Sequence, residues 1–191
     1  MTTIAVPTSP TAPPRQYPWF SRLLHWLMAA MVLTMLFIGV GMVSTVSARY
    51  HGLIDLHRPL GVAILALVVI RLGNRLFNPG PPLPPHLNGL MRFAAKASQV
   101  VLYALMFLMP LVGWGMLSAA RYPIVLAGSV HLPPILPQNP MLYATLRRAH
   151  TVLAYALFAT FVAHFGAALM HGLIYRDGVF TSMAPWRRRP P

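Results

Sequence analysis

Four apolar runs, each about as long as a membrane is thick, constrain this chain more than any other feature of its sequence. A helix that crosses a hydrocarbon core of about 30 Å needs about 20 consecutive apolar residues. Runs of this kind are predicted at about 19–43, 56–76, 93–117 and 149–173. Of the 191 residues, 57% are hydrophobic and only 9% are charged, whereas a soluble domain contains about 25% charged residues. The sequence therefore predicts an all-α integral membrane four-helix bundle.

Proline-rich segments flank and separate these spans. Residues 1–18 are rich in Thr and Pro and are predicted to be a disordered cytoplasmic leader, because they carry too little apolar surface to offset chain entropy. A cleaved signal peptide is the rival interpretation, although the first apolar run exceeds the usual length of about 7–15 residues. Residues 19–178 form the predicted bundle domain, and 179–191 a basic cytoplasmic tail. The loop at about 118–146 is long enough to form a cap, for which a short surface helix is expected.

The charges follow membrane topology. The chain has 15 cations and 2 acids, and the cations lie at the ends of the apolar runs rather than along a face that could bind nucleic acid. The sequence therefore predicts the lipid bilayer as a partner and predicts no nucleic-acid partner. The side that carries more Lys and Arg is the cytoplasmic one. Ten cations against five predict that both termini are cytoplasmic: Arg15, Arg22, Arg71, Arg75, Arg92, Lys96, Arg176, Arg187, Arg188 and Arg189 against Arg49, Arg58, Arg121, Arg147 and Arg148.

Histidine is the candidate metal ligand, because the chain has eight histidines and no cysteine. His25 lies near the cytoplasmic start of the first span, and His57 near the periplasmic start of the second. The fourth span carries both His150, in its first periplasmic turn, and His164. A single His on an apolar helix is more often a packing residue that finds a hydrogen bond inside the bundle. Four at matched depths favour a common function.

The spacing on the fourth span predicts how these histidines pair. His150 and His164 are 14 residues apart, so they lie within about 40° of one face and about 21 Å apart along the helix axis. Depth then pairs His57 with His150 and His25 with His164. Two imidazoles from facing helices suit the iron of a six-coordinate haem b, whereas catalytic zinc normally takes three protein ligands and a water. The sequence predicts two haem b groups held by these four residues.

Several motifs resemble the bacterial cytochrome b561 family, over residues 17–186. They include Arg22-Leu23-Leu24-His25-Trp26-Leu27, Leu56-His57-Arg58-Pro59-Leu60-Gly61, Pro110-Leu111-Val112-Gly113-Trp114, His164-Phe165-Gly166-Ala167-Ala168-Leu169-Met170-His171 and Arg176-Asp177. The resemblance implies an inner-membrane di-haem cytochrome of the superoxide:ubiquinone oxidoreductase type. It maps the four axial ligands of the family onto His25, His57, His150 and His164. A periplasmic one-electron donor, with superoxide as the specific version, is then expected to reduce the periplasmic haem, and ubiquinone is expected to be reduced near the cytoplasmic one.

Other polar residues are candidates with simpler alternatives. His171, seven residues beyond His164, is a candidate quinone-binding residue or else an interfacial side chain that reaches water. Four arginines are candidates for steering superoxide, or else contact lipid phosphate, namely Arg58, Arg121, Arg147 and Arg148. Five cations are predicted to set orientation, with pairing to haem propionates as the alternative for one or two: Arg22, Arg71, Arg75, Arg92 and Lys96.

Two further functions remain open on the sequence alone. One is a cytochrome b anchor subunit that receives electrons from a hydrogenase- or dehydrogenase-type partner. The other is a haem-free structural or transport protein, which the two predicted histidine pairs and the absence of carboxylates within the spans disfavour.

Overall fold

A computed structural model describes residues 16–126 and 130–185 of the chain. It contains four long helices: α1 (Trp19–Ser44), α2 (Arg49–Phe77), α3 (Gly89–Ala119) and α4 (Pro140–Leu169). All four are long and apolar enough to cross a membrane. The predicted four-helix membrane bundle is therefore confirmed. Most of the predicted leader and the end of the basic tail, at residues 1–15 and 186–191, lie outside the described residues.

Two of the helices begin well before their apolar runs. α2 begins at Arg49 and α4 at Pro140, seven and nine residues earlier than the predicted spans. At α4 the cause is local: Asn139 accepts a hydrogen bond from the Leu142 N–H, and proline suits the first helical position. The prediction that His150 lies in the first turn is therefore wrong. His57 and His150 lie eight and ten residues inside their helices, at depths of about 12 and 15 Å.

The helices pack in sequence order around a narrow apolar core. α1 packs on α2, α2 on α3 and α3 on α4. The buried core is formed by Leu24, Met28, Val32, Ile64, Leu67, Val68, Leu105, Met106 and Leu157. Many large apolar side chains on the outer faces are exposed, among them Phe37, Phe93 and Phe165. Exposed apolar helix faces of this extent are what a lipid environment requires.

The segment between α3 and α4 forms a small β-hairpin instead of the expected surface helix. β1 (Ile124–Leu126) pairs antiparallel with β2 (Val130–Leu132), with Val125 opposite His131. The β-branched residues of these strands favour extended backbone, and the flanking prolines cannot continue a helix. The hairpin is fastened to α3, since Trp114 Nε1 donates to the Pro133 carbonyl at 2.9 Å and the Ile135 N–H donates to Ser118 Oγ at 3.1 Å. We call this end of the bundle the hairpin side.

The opposite end, where α1 begins and α4 ends, is the termini side. α4 continues into a π-helical segment, Met170–Tyr175, and a short helix, α5 (Val179–Met183), follows. The segment around α5 returns to the start of α1. The Tyr17 N–H donates to the Ser182 carbonyl at 3.0 Å, Trp26 Nε1 to Met183 at 2.8 Å and Arg22 Nη1 to Ala184 at 3.0 Å. Gly80, in the Pro-rich loop after α2, is covered by the Tyr17 ring, which leaves no room for a larger side chain.

Candidate haem-binding site

α4 contributes one histidine to each of two facing pairs. The ring centres of His25, on α1, and His164 lie 6.4 Å apart, with an interplanar angle of 71°. The ring centres of His57, on α2, and His150 lie 6.1 Å apart, with an angle of 66°. These are the two pairs that depth and helical spacing predict. The role of these residues as iron ligands stays a prediction.

The spacing of each pair suits one metal centre between two rings. An imidazole nitrogen binds a transition metal at about 2 Å, so two imidazoles on opposite sides of one ion have ring centres about 6 Å apart. All four rings are partly shielded inside the bundle, and His57 Nδ1 is buried with no hydrogen-bond partner among the described residues. In the same residues no three His, Asp or Glu side chains cluster as ligands for a bare metal ion. Two neutral nitrogen donors on facing helices fit a haem iron, whose other four ligands come from the porphyrin.

α3 supplies no histidine to either pair, but a glycine on this helix leaves room for the His150 ring. A Cβ atom at Gly113 would lie 3.3 Å from Cε1 of His150, closer than most real contacts. Glycine at this position therefore lets α3 lie directly against the His150 ring. Pro110 lies one turn earlier inside the same helix.

Two arginines of α2 lie on the termini side of the His25–His164 pair. Arg71 Nε donates to the Tyr103 hydroxyl at 3.0 Å, and its charge acts on both His25 and His164. Arg75, one turn further along, lies over the ring of Tyr17 at 5.5 Å. Both arginines line one small cavity, together with Tyr17, Ser21, Asn74, Tyr103 and Met183.

His171 lies in the π-helical segment and is held by an acid. Its Nδ1 is 2.7 Å from Oδ2 of Asp177, and both side chains are almost fully buried. His86, from the loop between α2 and α3, approaches the same oxygen with its Nε2 at 3.4 Å. Burial alone raises the pKa of Asp177, but hydrogen bonds from the Val179 N–H and from His171 outweigh it and hold that pKa below its usual value. The acid is therefore ionised at neutral pH, and His171 donates the shared proton.

The four arginines predicted to steer an anion all lie on the hairpin side. Arg58 follows His57 and is half-buried, whereas Arg121, Arg147 and Arg148 are exposed. Arg147 Nη1 donates to the Tyr143 hydroxyl at 3.2 Å. The four cations therefore surround the end of the bundle nearer the His57–His150 pair, while the acid Asp55 at that end is exposed.

Sequence reasoning missed two of these features. Asp177 lies beyond the last apolar run, so its contact with His171 depends on the π-helical turn that brings the chain back. His86 contacts Asp177 although the two residues lie far apart in the chain. The Arg-Asp pair at 176–177 was part of the family motif, which is the one clue the sequence offered.

A helical membrane bundle with facing histidine pairs defines the class of membrane cytochromes. Within that class, residues 16–186 match the family model of the prokaryotic cytochrome b561 proteins, and the chain belongs to this family. It is 30% identical over 175 residues to cytochrome b561 homolog 2 of Escherichia coli strain K12, a match that covers 91% of this chain and 93% of the relative. It is 28% identical over 133 residues to the probable superoxide oxidase CybB of Yersinia pestis, covering 70% and 75% of the two chains. The protein is thus a membrane electron-transfer cytochrome of the prokaryotic inner membrane, and the family implies that it binds haem b.

Proposed function

We propose that this protein binds two haem b groups and carries electrons across the membrane from a one-electron donor, superoxide, to ubiquinone. The proposal rests on the two facing histidine pairs, in which the ring centres lie 6.4 Å apart for His25 and His164 and 6.1 Å apart for His57 and His150. One helix supplies a member of each pair, 14 residues apart, which is about 21 Å along its axis. Two redox groups at these depths form a path through most of the hydrocarbon core.

The residues of the chain hold and tune the two groups. Bound haem b supplies a centre that accepts and gives up one electron. His25 and His164 would hold one such group and His57 and His150 the other, each with two imidazole nitrogens from facing helices. The apolar core around Met28, Leu67 and Met106 keeps water from the space between the helices.

Cation counts support an orientation with both termini in the cytoplasm. Among the described residues six cations lie on the termini side and five on the hairpin side, and the other four of the 15 belong to the N- and C-terminal segments of the sequence. Lys and Arg concentrate on the cytoplasmic side of a membrane. The hairpin side then faces the periplasm. Donor oxidation takes place at the His57–His150 pair, and quinone reduction at the His25–His164 pair.

The hairpin side has the charge that an anionic donor requires. Arg58, Arg121, Arg147 and Arg148 lie at that end, opposed only by Asp55 among the side chains of the sequence. A cationic surface concentrates a small anion and raises its rate of encounter. Each superoxide loses one electron and leaves as O2, so two superoxide ions supply one quinone. The relative named as a probable superoxide oxidase adds support for this donor.

The termini side has a group that can supply protons. Ubiquinone takes up two electrons and two protons to form ubiquinol, and an imidazole can deliver protons as a general acid. Asp177 accepts from His171 Nδ1, which fixes the ring orientation. Nε2 of His171 is then the atom that exchanges a proton with quinone. In the same way, the aspartate of a catalytic triad orients its histidine through a hydrogen bond to Nδ1.

The test combines haem content with rapid mixing. We expect two haem b groups per purified chain, fast reduction of both by superoxide, and reoxidation by a ubiquinone analogue. Haem without superoxide reactivity would instead favour a cytochrome subunit that takes electrons from a docked dehydrogenase or hydrogenase. A purified protein without haem would overturn the proposal.

A further inference from the structure

Two half-buried arginines on the termini side have no acidic partner among the described residues. Nη1 of Arg71 and Nη1 of Arg75 are both buried and make no hydrogen bond within the described residues. The two residues are four apart on α2, so their side chains lie on the same face. A buried cation without a partner is costly, because it loses its hydration and gains nothing in return.

No acidic side chain of the sequence is available to them. The only two are Asp55 and Asp177. Asp55 is exposed near the opposite end of α2, and Asp177 is occupied by His171, His86 and the Val179 N–H. The neutral neighbours of the arginines are aromatic: Tyr103 accepts from Arg71 Nε, and the guanidinium of Arg75 lies over the Tyr17 ring. These contacts satisfy part of each guanidinium and leave Nη1 free.

Both arginines line one small cavity, whose other lining residues carry no charge. Ser21 and Asn74 also line it and are already hydrogen-bonded to each other at 2.7 Å. The two guanidinium groups at the cavity therefore lack a negatively charged partner. Planar guanidinium groups bind carboxylates especially well, because two parallel N–H groups match two oxygens.

We propose that Arg71 and Arg75 bind the carboxylate groups of the haem held between His25 and His164. The inference rests on the proposed function, since it requires a haem at that pair. Ser21, which lines the cavity, lies one turn before His25 on α1, so the cavity adjoins the histidine pair that would hold this haem. The His57–His150 pair has no equivalent cluster with free buried nitrogens in the described residues.

Spectroelectrochemical titration of the haem-loaded protein tests this assignment. Positive charge beside a haem stabilises its reduced state, so Arg71→Gln or Arg75→Gln should lower the midpoint potential of one haem and leave the other unchanged. A tenfold loss of preference for the reduced form corresponds to about 59 mV for one electron. Arg92→Gln is the matched control, because Arg92 is a termini-side cation that is exposed and donates to the Pro85 carbonyl. Its potentials should equal those of the wild type.

Two further variants keep the test decisive. If Arg71→Gln does not bind haem, Arg71→Lys retains the charge without the planar fork and should restore haem and most of the potential. His57→Ala, combined with Arg75→Gln, identifies which haem has shifted. Unchanged potentials in both Gln variants would overturn the inference, as would equal shifts of both haems. The same holds for a shift seen in vesicles of anionic lipid but not of phosphatidylcholine, since the ligand would then be a lipid phosphate.

These outcomes are distinct from failure of the proposed function. A wild-type protein without haem, or without reactivity towards quinone, contradicts the proposed function. A wild-type protein with two haems whose potentials ignore Arg71 and Arg75 contradicts only the carboxylate site.

Discussion

At the scale of single residues, four histidines carry the proposed chemistry, and each pair joins two different helices. His57→Ala and His150→Ala should each remove the same haem, because we propose that both residues bind one iron, and haem content should fall from two per chain to about one. Haem extraction with redox titration measures both quantities. His51→Ala is the control, since His51 is exposed in the first turn of α2. Loss of different haems from the two variants would contradict the pairing.

His171 and Asp177 are the second residue-scale prediction. His171→Ala should slow haem reoxidation by quinone about 100-fold, the lower end of typical general-acid effects, while the donor still reduces both haems. Asp177→Asn should have a smaller effect, because the imidazole remains in place but loses the carboxylate that accepts from its Nδ1 and fixes its orientation. Stopped-flow reoxidation between about pH 5 and 8 measures this. Equal rates in the wild type and His171→Ala would leave His171 as an interfacial side chain.

Asp177 takes up its proton at a pH below the range of these rate measurements. The pKa of Asp177 lies below its ordinary value of 3.8, so its contribution to stability is present above about pH 4 and is lost as pH falls through the lower folded value.

At the scale of secondary-structure elements, α3 shapes the site without contributing a ligand. Gly113→Val should displace the His150 ring, because even a Cβ would lie 3.3 Å from it, and overpacking of this kind costs about 1–3 kcal/mol. We expect weaker binding of the hairpin-side haem, measured as haem content after purification. Gly39→Val on α1 is the matched control, because a Cβ there meets nothing within 4 Å. Equal haem content in both variants would show that the ring has room to move.

Some elements of the fold could be predicted from the sequence, and others could not. The four spans follow from runs of apolar residues, since lipid imposes that pattern on every crossing helix. The pairing of His57 with His150 followed from the depth of each residue in its span, and their rings do lie together. The β-hairpin and the π-helical segment were not predicted, because side-chain contacts distant in sequence stabilise them, such as Trp114 with Pro133. Apolar periodicity carries no information about such contacts.

At the scale of the whole molecule, the asymmetric charge of the two ends makes a kinetic prediction. Reduction of haem by superoxide should slow as salt rises, because the screening length falls from about 10 Å at 0.1 M to about 3 Å at 1 M. The double variant Arg147→Gln, Arg148→Gln should show a lower rate and a weaker dependence on salt. Arg92→Gln, on the opposite side, should behave as the wild type does. A fast rate that ignores salt would exclude electrostatic steering.

The placement of His150 and His164 on one helix has a mechanical consequence. Membranes differ in thickness, and a bundle adapts to them by tilting and sliding its helices against one another. The separation of His150 from His164 is set by 14 residues of continuous α4 backbone, whose hydrogen-bonded rise does not change under such adjustments. A thinner or thicker bilayer can therefore tilt α4, but it does not change the distance between the two histidines on that helix. Any resulting strain falls on the contacts that His25 and His57 make from the other two helices.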